Sequence, residues 1–307
     1  MYQFNLKGIE VYHGSIVRDN SFYIDHFKKR GKDVEHFLRD VIGRDKRYLI
    51  DSEKENSLTM ALQATEKLLK NTGVCGNELD MIIFSSQLPE YVAPPSSIKI
   101  HYAVGGKEEC ICYDINVNCI GMSTALEHTA KYMLASPNIK YALIVGCDYI
   151  NMTVDPENER TYGHYGDAAC AVLLERTEED CGLVDSFYNM RSVAHDKILF
   201  PGCGSSKIFT VEDREHLRLY FEPFECAGLD IQMQNVLELL KRNHLTTDDI
   251  SMFCFSQYVY KNIEFFRSIL NIGPEKSLYI GDEYGYTGTS SPFIVLYESM
   301  QRGLVKK

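Results

Sequence analysis

The chain has 307 residues, of which 24% are charged, and its formal net charge is −11. A chain this acidic, with no long run of Lys or Arg, is a poor candidate for general nucleic-acid binding. It contains no stretch of about 18 consecutive apolar residues, so we expect no transmembrane helix. The start of the chain, MYQFNLKGIEV, lacks a signal-peptide pattern, and we therefore expect a cytoplasmic protein.

The first half of the chain alternates predicted helices with predicted strands, which is typical of an α/β protein. Apolar residues at three- and four-residue spacing predict an amphipathic helix from Ser57 to Asn71. A second helix is expected to begin near Ile120. Unbroken apolar runs predict strands that are buried on both faces of a sheet. These strands are 81–86, 111–115, 141–147 and 169–175.

The second half repeats this theme less regularly. Its predicted elements are a helix at 230–243, a strand at 251–256, a helix at 259–270, a strand at 277–280 and a last helix at 293–303. The length suits two domains of about 100–200 residues each, or one duplicated unit. The charged stretch RTEED separates the halves, so we place one at 1–175 and the other at 176–307.

One of the ten cysteines has a distinctive context. The chain contains no CxxC pair, which argues against a zinc site, and most of the cysteines are predicted to be small buried residues. Cys119, however, lies between the predicted strand 111–115 and the helix that begins near Ile120. The unpaired N–H groups and partial positive charge of a helix N-terminus favour a thiolate and suit an oxyanion hole. Cys119 is therefore a candidate nucleophile, and the alternative is one more core cysteine.

The segment around Cys119, DINVNCIGMSTALE, resembles the nucleophile segment of the thiolase-fold condensing enzymes, and most closely the β-ketoacyl-acyl-carrier-protein synthase III type. Other segments are similar to that family in the same order along the chain. They are FLRDVIGRDKR, SSQLPEYVAPPSS, YGHYGDAACAVLLE, ILFPGCGSS and EYGYTGTSSP. The resemblance implies an α/β thiolase-like fold of two pseudo-duplicated α/β/α/β/α halves. It also identifies Cys119 as the residue that accepts the acyl group.

Both polar partners of the family's cysteine differ in this chain. Ser256 corresponds to the family's histidine, and Tyr286 corresponds to its asparagine. In the family this pair polarises the thioester carbonyl when a malonyl-carrier protein loses CO₂, and the loss of one such donor costs on the order of 10²–10³ in rate. We therefore expect decarboxylative condensation to be impaired while acylation of Cys119 survives. His164 is a possible catalytic substitute, and the alternative is an entrance or surface histidine without a role.

The resemblance also implies contacts with substrate and partner. Phe37 stands where the family has a tryptophan that stacks on the adenine of coenzyme A, and Arg160 matches a second nucleotide-contacting arginine. Ala93, on the loop that reaches across the dimer, leaves room for a bulkier acyl group. The changed entrance disfavours free acyl-CoA and favours a carrier-protein thioester. Lys261, with Arg267 nearby, is the expected docking patch for an acidic carrier protein, and a solvated helix face is the alternative.

The sequence thus predicts an acyltransferase resembling synthase III, in specialised fatty-acid or secondary-metabolite biosynthesis. Its substrate would be an acyl-CoA or acyl-carrier-protein thioester, with no metal or other cofactor. The expected assembly is a homodimer, or a heterodimer with a complete ketosynthase, and the expected partner is acyl carrier protein. Two alternatives stay open. One is a catalytically impaired structural subunit of a heterodimeric ketosynthase, and the other is a thioester hydrolase.

Overall fold

The structure is a computed structural model that describes residues 3–223 and 228–305. That part of the chain contains nine strands: β1 (Gln3–His13), β2 (Ile16–Asp19), β3 (Lys46–Leu49), β4 (Met81–Ser85), β5 (Ile111–Ile115), β6 (Tyr141–Cys147), β7 (Ala168–Thr177), β8 (Ile198–Leu199) and β9 (Tyr220–Phe221). Five of them form a mixed sheet in the order β1-β7-β6-β4-β5. In this sheet β4 is parallel to both β5 and β6, whereas β7 is antiparallel to β6 and β1.

Eight α-helices lie within the same described residues. They are α1 (Asn20–Lys28), α2 (Ser57–Thr72), α3 (Ser96–Val104), α4 (Gly121–Ala135), α5 (Leu229–Arg242), α6 (Tyr260–Leu270), α7 (Gly281–Tyr284) and α8 (Ser291–Gln301). The two helices predicted in the first half are confirmed, and α2 begins at a capping box formed by Asn56 and Thr59. None of the helices in the described residues combines the length and hydropathy that a membrane span requires.

Helices cover both faces of the central sheet, and this explains the unbroken apolar strands. Ile83 of β4 packs in one hydrophobic cluster with Ala125 of α4. Its neighbour Phe84 points the other way and packs in a second cluster with Ala61 of α2. Successive strand residues face opposite sides of a sheet, so a strand buried on both sides has no position for an exposed polar residue.

The strand predicted at 111–115 is confirmed as β5, but it is half-buried instead of buried on both faces. The reason is its place at the edge of the sheet, where β4 is its neighbour on one side. The carboxyl end of β5 lies beside that of β4 because the two strands are parallel. This end of the sheet positions the residues that follow Ile115 and Ser85.

The strands predicted at 251–256 and 277–280 are wrong, because neither segment is a strand in the structure. The segments do lie side by side, and the Phe253 N–H donates to the Lys276 carbonyl at 2.8 Å. Further along, a side chain takes the place of a backbone partner, because the Ile280 N–H donates to Gln257 Oε1 at 2.9 Å. The apolar run therefore reports burial and not strand pairing.

Residues from both predicted halves share one core. Phe293, Ile294 and Val295 of α8 belong to the hydrophobic cluster that contains Met122 of α4. The boundary placed at residue 176 falls within the last residues of β7, which ends at Thr177. The division into 1–175 and 176–307 stays a prediction, and the shared cluster joins the two parts.

Candidate active site

Cys119 lies in a tight turn between β5 and α4, as the sequence predicts. The turn is sharp because Asn118 adopts a left-handed backbone with φ of 49°, which asparagine tolerates better than most residues. Gly121 begins α4, and a Cβ at that position would collide with Ser85 Oγ of β4. The absent side chain therefore lets the start of α4 approach the end of β4 and brings Cys119 over the sheet.

The amides at the start of α4 are already used by the turn itself. The Ile120 and Gly121 N–H groups donate to the carbonyls of Val117 and Asn118, and the Met122 N–H donates to a threonine hydroxyl. These three groups are therefore not free donors, contrary to the expectation of an oxyanion hole built from them. The Cys119 N–H slightly opposes the rise in the pKa of its own thiol.

The three candidate catalytic residues meet at this turn. Tyr286 and Gln87 are hydrogen-bonded to the Cys119 sulfur. Ser256 Oγ donates to the Tyr286 hydroxyl at 3.3 Å, so Ser256 reaches Cys119 only through Tyr286. Gln87 is held in place by Asp148, which accepts from its backbone N–H at 2.8 Å and from its Nε2 at 3.0 Å. The structure thus brings the predicted residues together and adds Gln87.

Burial raises the pKa of the Cys119 thiol above its ordinary value, and the hydrogen bonds from Tyr286 and Gln87 only partly oppose this effect. The expectation that the helix terminus lowers this pKa is therefore wrong, because loss of water outweighs the local donors. Burial also raises the pKa of Tyr286 well above its usual range. The phenol therefore stays protonated and acts as a neutral donor to the sulfur.

The raised thiol pKa predicts a specific pH dependence. Alkylation of Cys119 by iodoacetamide in the native protein should accelerate at higher pH than alkylation of the same cysteine in the unfolded chain, because the thiolate is the nucleophile. Removing the phenol donor with Tyr286→Phe should move the native profile to still higher pH. Peptide mass spectrometry of timed samples measures both profiles. A native profile below the unfolded one would contradict this assignment.

His164 is fully buried beside the same residues. Its ring centroid is 4.6 Å from that of Tyr258 and 6.0 Å from that of Tyr286. Burial, together with the neighbouring Arg44 and Arg47, holds the pKa of His164 well below its usual range, so the imidazole is neutral. Neither ring nitrogen has a hydrogen-bond partner among the described residues. His164 is therefore not a surface histidine, and the alternative of an entrance histidine without a role stays open.

A cavity of about 400 Å³ opens beside this histidine. Its wall includes Phe37, Arg160, His164 and Tyr258, so both predicted entrance residues lie on one cavity together with His164. Ala93 is placed differently, in an exposed loop. A larger cavity of about 700 Å³ lies elsewhere, between β1, α2 and α8, and contains none of the candidate catalytic residues.

The predicted docking residues are both engaged within the chain. Lys261 is exposed at the start of α6 and pairs with Glu264 at 2.7 Å. Arg267 is half-buried and donates from Nε to the Ser277 carbonyl at 3.2 Å. Lys261 is therefore the more available of the two cations for a partner, and Arg267 supports the fold.

The other cysteines differ in how exposed they are to solvent. Cys147 and Cys170 are buried, as the filler interpretation expects, whereas Cys75 is exposed. Cys226 lies outside the described residues. The remaining described cysteines are half-buried, and Cys119 is the one that contacts Tyr286 and Gln87.

Arg44 connects the segments that build the site, and its side chain is fully buried. Its guanidinium donates to the backbone carbonyls of Ile42, His164, Gln257 and Tyr258, at 2.8 to 3.1 Å. The sequence pointed to this turn only through the family resemblance. The contacts show that Arg44 fixes the backbone at His164 and at the two residues that follow Ser256.

Replacing this side chain should destabilise the protein strongly. Arg44→Met keeps the apolar stem but leaves several buried carbonyls without a donor, and we expect a loss of about 3–5 kcal/mol in the free energy of unfolding. Urea denaturation measures the change. The control is Arg39→Met, which removes an exposed arginine paired with Glu35 and should change stability little. Equal effects of the two substitutions would contradict the role of Arg44.

Comparison with known proteins agrees with this architecture. Residues 113–191 match the family described as 3-oxoacyl-[acyl-carrier-protein (ACP)] synthase III, and residues 240–307 match its C-terminal family. The chain is 27% identical over 278 residues to a β-ketoacyl-[acyl-carrier-protein] synthase III of Clostridium perfringens, covering 89% of this chain and 84% of that protein. The chain is therefore similar to the synthase III family over both of these segments. A relative of the same name from Natranaerobius thermophilus is 25% identical over 303 residues, covering 96% of this chain and 91% of that protein.

Solved structures confirm the thiolase-like fold. The synthase III of Aquifex aeolicus superposes with a TM-score of 0.85 at 21% identity and covers 99% of this chain and 92% of its own. OleA of Xanthomonas campestris, solved with bound lauric acid and lauroyl-CoA, superposes with a TM-score of 0.81 at 18% identity and covers 99% and 93%. The predicted resemblance to synthase III and the predicted fold class are therefore confirmed, although 251–256 and 277–280 are not strands in this chain.

Proposed function

We propose that this synthase III-like chain is an acyltransferase in which Cys119 takes an acyl group from a thioester and passes it to an acceptor. The position of Cys119 in the turn before α4, where it packs against Tyr286 and has Gln87 as a second polar neighbour, carries the proposal. A half-buried sulfur with two polar contacts at the carboxyl end of the parallel strands β4 and β5 is unlike the buried Cys147 and Cys170, which belong to β6 and β7. The reaction requires an acyl thioester and no cofactor.

The covalent step balances with the groups present. The Cys119 sulfur attacks the thioester carbonyl, a C–S bond forms to Cys119, and the donor thiol leaves after accepting a proton. The thiol proton must first leave Cys119, and its raised pKa makes this deprotonation costly at neutral pH. Tyr286 contacts the Cys119 sulfur, and its ring centroid is 6.0 Å from that of the neutral His164 imidazole, which could assist this deprotonation through Tyr286. We assign His164 this supporting role.

The assignment of His164 has its own test. His164→Phe keeps a ring of similar size in the aromatic cluster but removes both nitrogens. We expect acylation to slow at least tenfold with little change in the substrate concentration for half-maximal rate. Stopped-time mass spectrometry over a series of donor concentrations separates the two quantities. An unchanged rate would show that the ring serves only packing.

The entrance cavity suits a substrate arm that carries the acyl group inward. Phe37 offers an aromatic face and Arg160 a cation on the wall that His164 completes. A carrier-protein thioester is the favoured donor, with Lys261 as the cation offered to an acidic acyl carrier protein. We propose a homodimer, with specialised fatty-acid or secondary-metabolite biosynthesis as the setting. The small side chain of Ala93 leaves room for a bulkier acyl group, and a heterodimer with a complete ketosynthase is the alternative assembly.

One observation favours a second candidate, the structural subunit of a heterodimeric ketosynthase. Ser256 and Tyr286 replace the histidine and asparagine that the family uses, and they form a pair of neutral hydroxyls. In such a subunit Cys119 would stay unmodified. The two candidates therefore differ in one directly measurable property, the formation of an acyl-enzyme.

The deciding experiment incubates the full chain with acyl-CoA and with acyl-carrier protein and records intact mass. The proposal predicts a mass increase by one acyl group that neutral hydroxylamine removes, since hydroxylamine cleaves thioesters. The heat-unfolded chain under the same conditions is the control and should gain no adduct. No adduct with either donor, together with tight association with a complete synthase, would favour the structural subunit. An adduct that decays to free fatty acid without an acceptor would instead indicate thioester hydrolysis.

A further inference from the structure

A second cluster of reactive side chains lies at the opposite end of β5 from Cys119. His101, Cys110 and Cys112 each place one potential ligand atom so that all three atoms lie within 4.8 Å of one another. The two sulfurs are 3.9 Å apart. Two sulfurs that are each about 2.3 Å from a tetrahedrally bound zinc ion are separated by about 3.8 Å. The observed spacing therefore matches a metal site.

The histidine ring is held by the protein in a way that suits a ligand. His101 Nε2 is 2.8 Å from the Lys107 carbonyl, which fixes Nε2 as the protonated nitrogen and leaves the lone pair on Nδ1. A backbone carbonyl that orients the second ring nitrogen is the usual support for a metal-binding histidine. Gly106 makes room for this ring, because a Cβ there would collide with it.

The surrounding turn is anchored independently of any ligand. Lys107 forms an ion pair with Asp80, and Asp80 Oδ2 accepts the Tyr141 N–H at 3.0 Å. The Cys110 N–H donates to the Lys107 carbonyl at 3.2 Å, which closes the turn just before β5. The three ligand atoms are thus presented by the end of α3 and the start of β5 without further rearrangement.

We propose that His101, Cys110 and Cys112 bind a thiophilic divalent cation, with Zn²⁺ favoured by the two-sulfur, one-nitrogen donor set and water in the fourth position. The site escapes a search for CxxC because the cysteines are two residues apart and the histidine lies on a preceding helix. Because β5 separates it from Cys119, its role is to tie α3 to the edge strand, independently of the acyl chemistry.

Titration of the reduced full-length chain with Co²⁺ tests this site. The proposal predicts one equivalent bound with a thiolate-to-cobalt charge-transfer band, and Zn²⁺ should displace the cobalt and abolish the band. Cys112→Ser and Cys110→Ser should each remove most of the band. Cys203→Ser, which changes a half-buried cysteine in the second half, should leave it intact.

His101→Gln provides a further variant that keeps both sulfurs, and it should weaken Co²⁺ affinity at least tenfold. Far-UV circular dichroism of each variant establishes that it is folded. No charge-transfer band in the unaltered chain, or an equal band in folded Cys112→Ser, would overturn the proposal. Acylation of Cys119 is read out separately by mass, so failure at one site is distinguishable from failure at the other.

Discussion

Replacing Cys119 with alanine is expected to abolish the acyl-enzyme and to reduce acyl transfer by a factor on the order of 10⁴ to 10⁶, because no other group of the site can hold the acyl chain. Tyr286 and Gln87 would remain, but they are neutral donors that bind charge and do not attack a carbonyl. Intact mass with acyl-CoA or acyl-carrier protein measures the adduct, and release of the donor thiol measures the rate.

The matched control is Cys75→Ala. Cys75 is exposed, so it reports any acylation that depends only on an accessible thiol. We expect this variant to be acylated like the unaltered chain. If Cys119→Ala still gains the acyl group while Cys75→Ala loses it, the modification is a surface reaction and the assignment of the active site fails.

Restoring the family's polar pair is expected to have the second largest effect. Ser256→His combined with Tyr286→Asn should raise malonyl decarboxylation by a factor on the order of 10² to 10³ or more, because each preorganised donor to a developing enolate contributes about this much. The two positions are in contact, since their hydroxyls lie 3.3 Å apart. The smaller asparagine therefore vacates space beside the larger histidine, and the pair must be exchanged together.

Each single substitution is the control for the double variant. Ser256→His alone places an imidazole against the Tyr286 ring, and Tyr286→Asn alone leaves a gap beside the sulfur, so neither should recover most of the rate. Release of CO₂ from malonyl-carrier protein is the measurement. The explanation based on Ser256 and Tyr286 fails if the unaltered chain already decarboxylates as fast as a complete family member.

Helices and strands that show a regular pattern of apolar residues could be predicted from the sequence. The spacing of apolar residues located α2 and the start of α4 to within one or two residues, and unbroken apolar runs located β4 and β6. These patterns succeed because they report which faces are buried, and burial on both faces of the central sheet is what the structure shows. A similar apolar run led to a wrong strand prediction at 251–256, because that segment is packed inside the protein without pairing as a strand.

The chemistry of the site depended on contacts that no local pattern reports. Gln87 is a polar residue just after β4, and only the parallel alignment of β4 with β5 places it near Cys119. The pKa of Cys119 depends on how far the folded chain excludes water from the thiol. The sequence around the start of a helix does not indicate this. The cluster of His101, Cys110 and Cys112 likewise requires the turn that returns from α3 to β5.

Locating the acyl group in the unaltered chain tests the account most directly. The protein is incubated with acyl-carrier protein, digested, and sequenced by tandem mass spectrometry, with no thiol reductant added because a free thiol would take the acyl group by thioester exchange. We predict that the acyl mass is found on the peptide containing Cys119 and on no other cysteine peptide. An acyl group on Cys75, Cys203 or another cysteine, with Cys119 unmodified, would contradict the proposal that this turn is the acyl-transfer site.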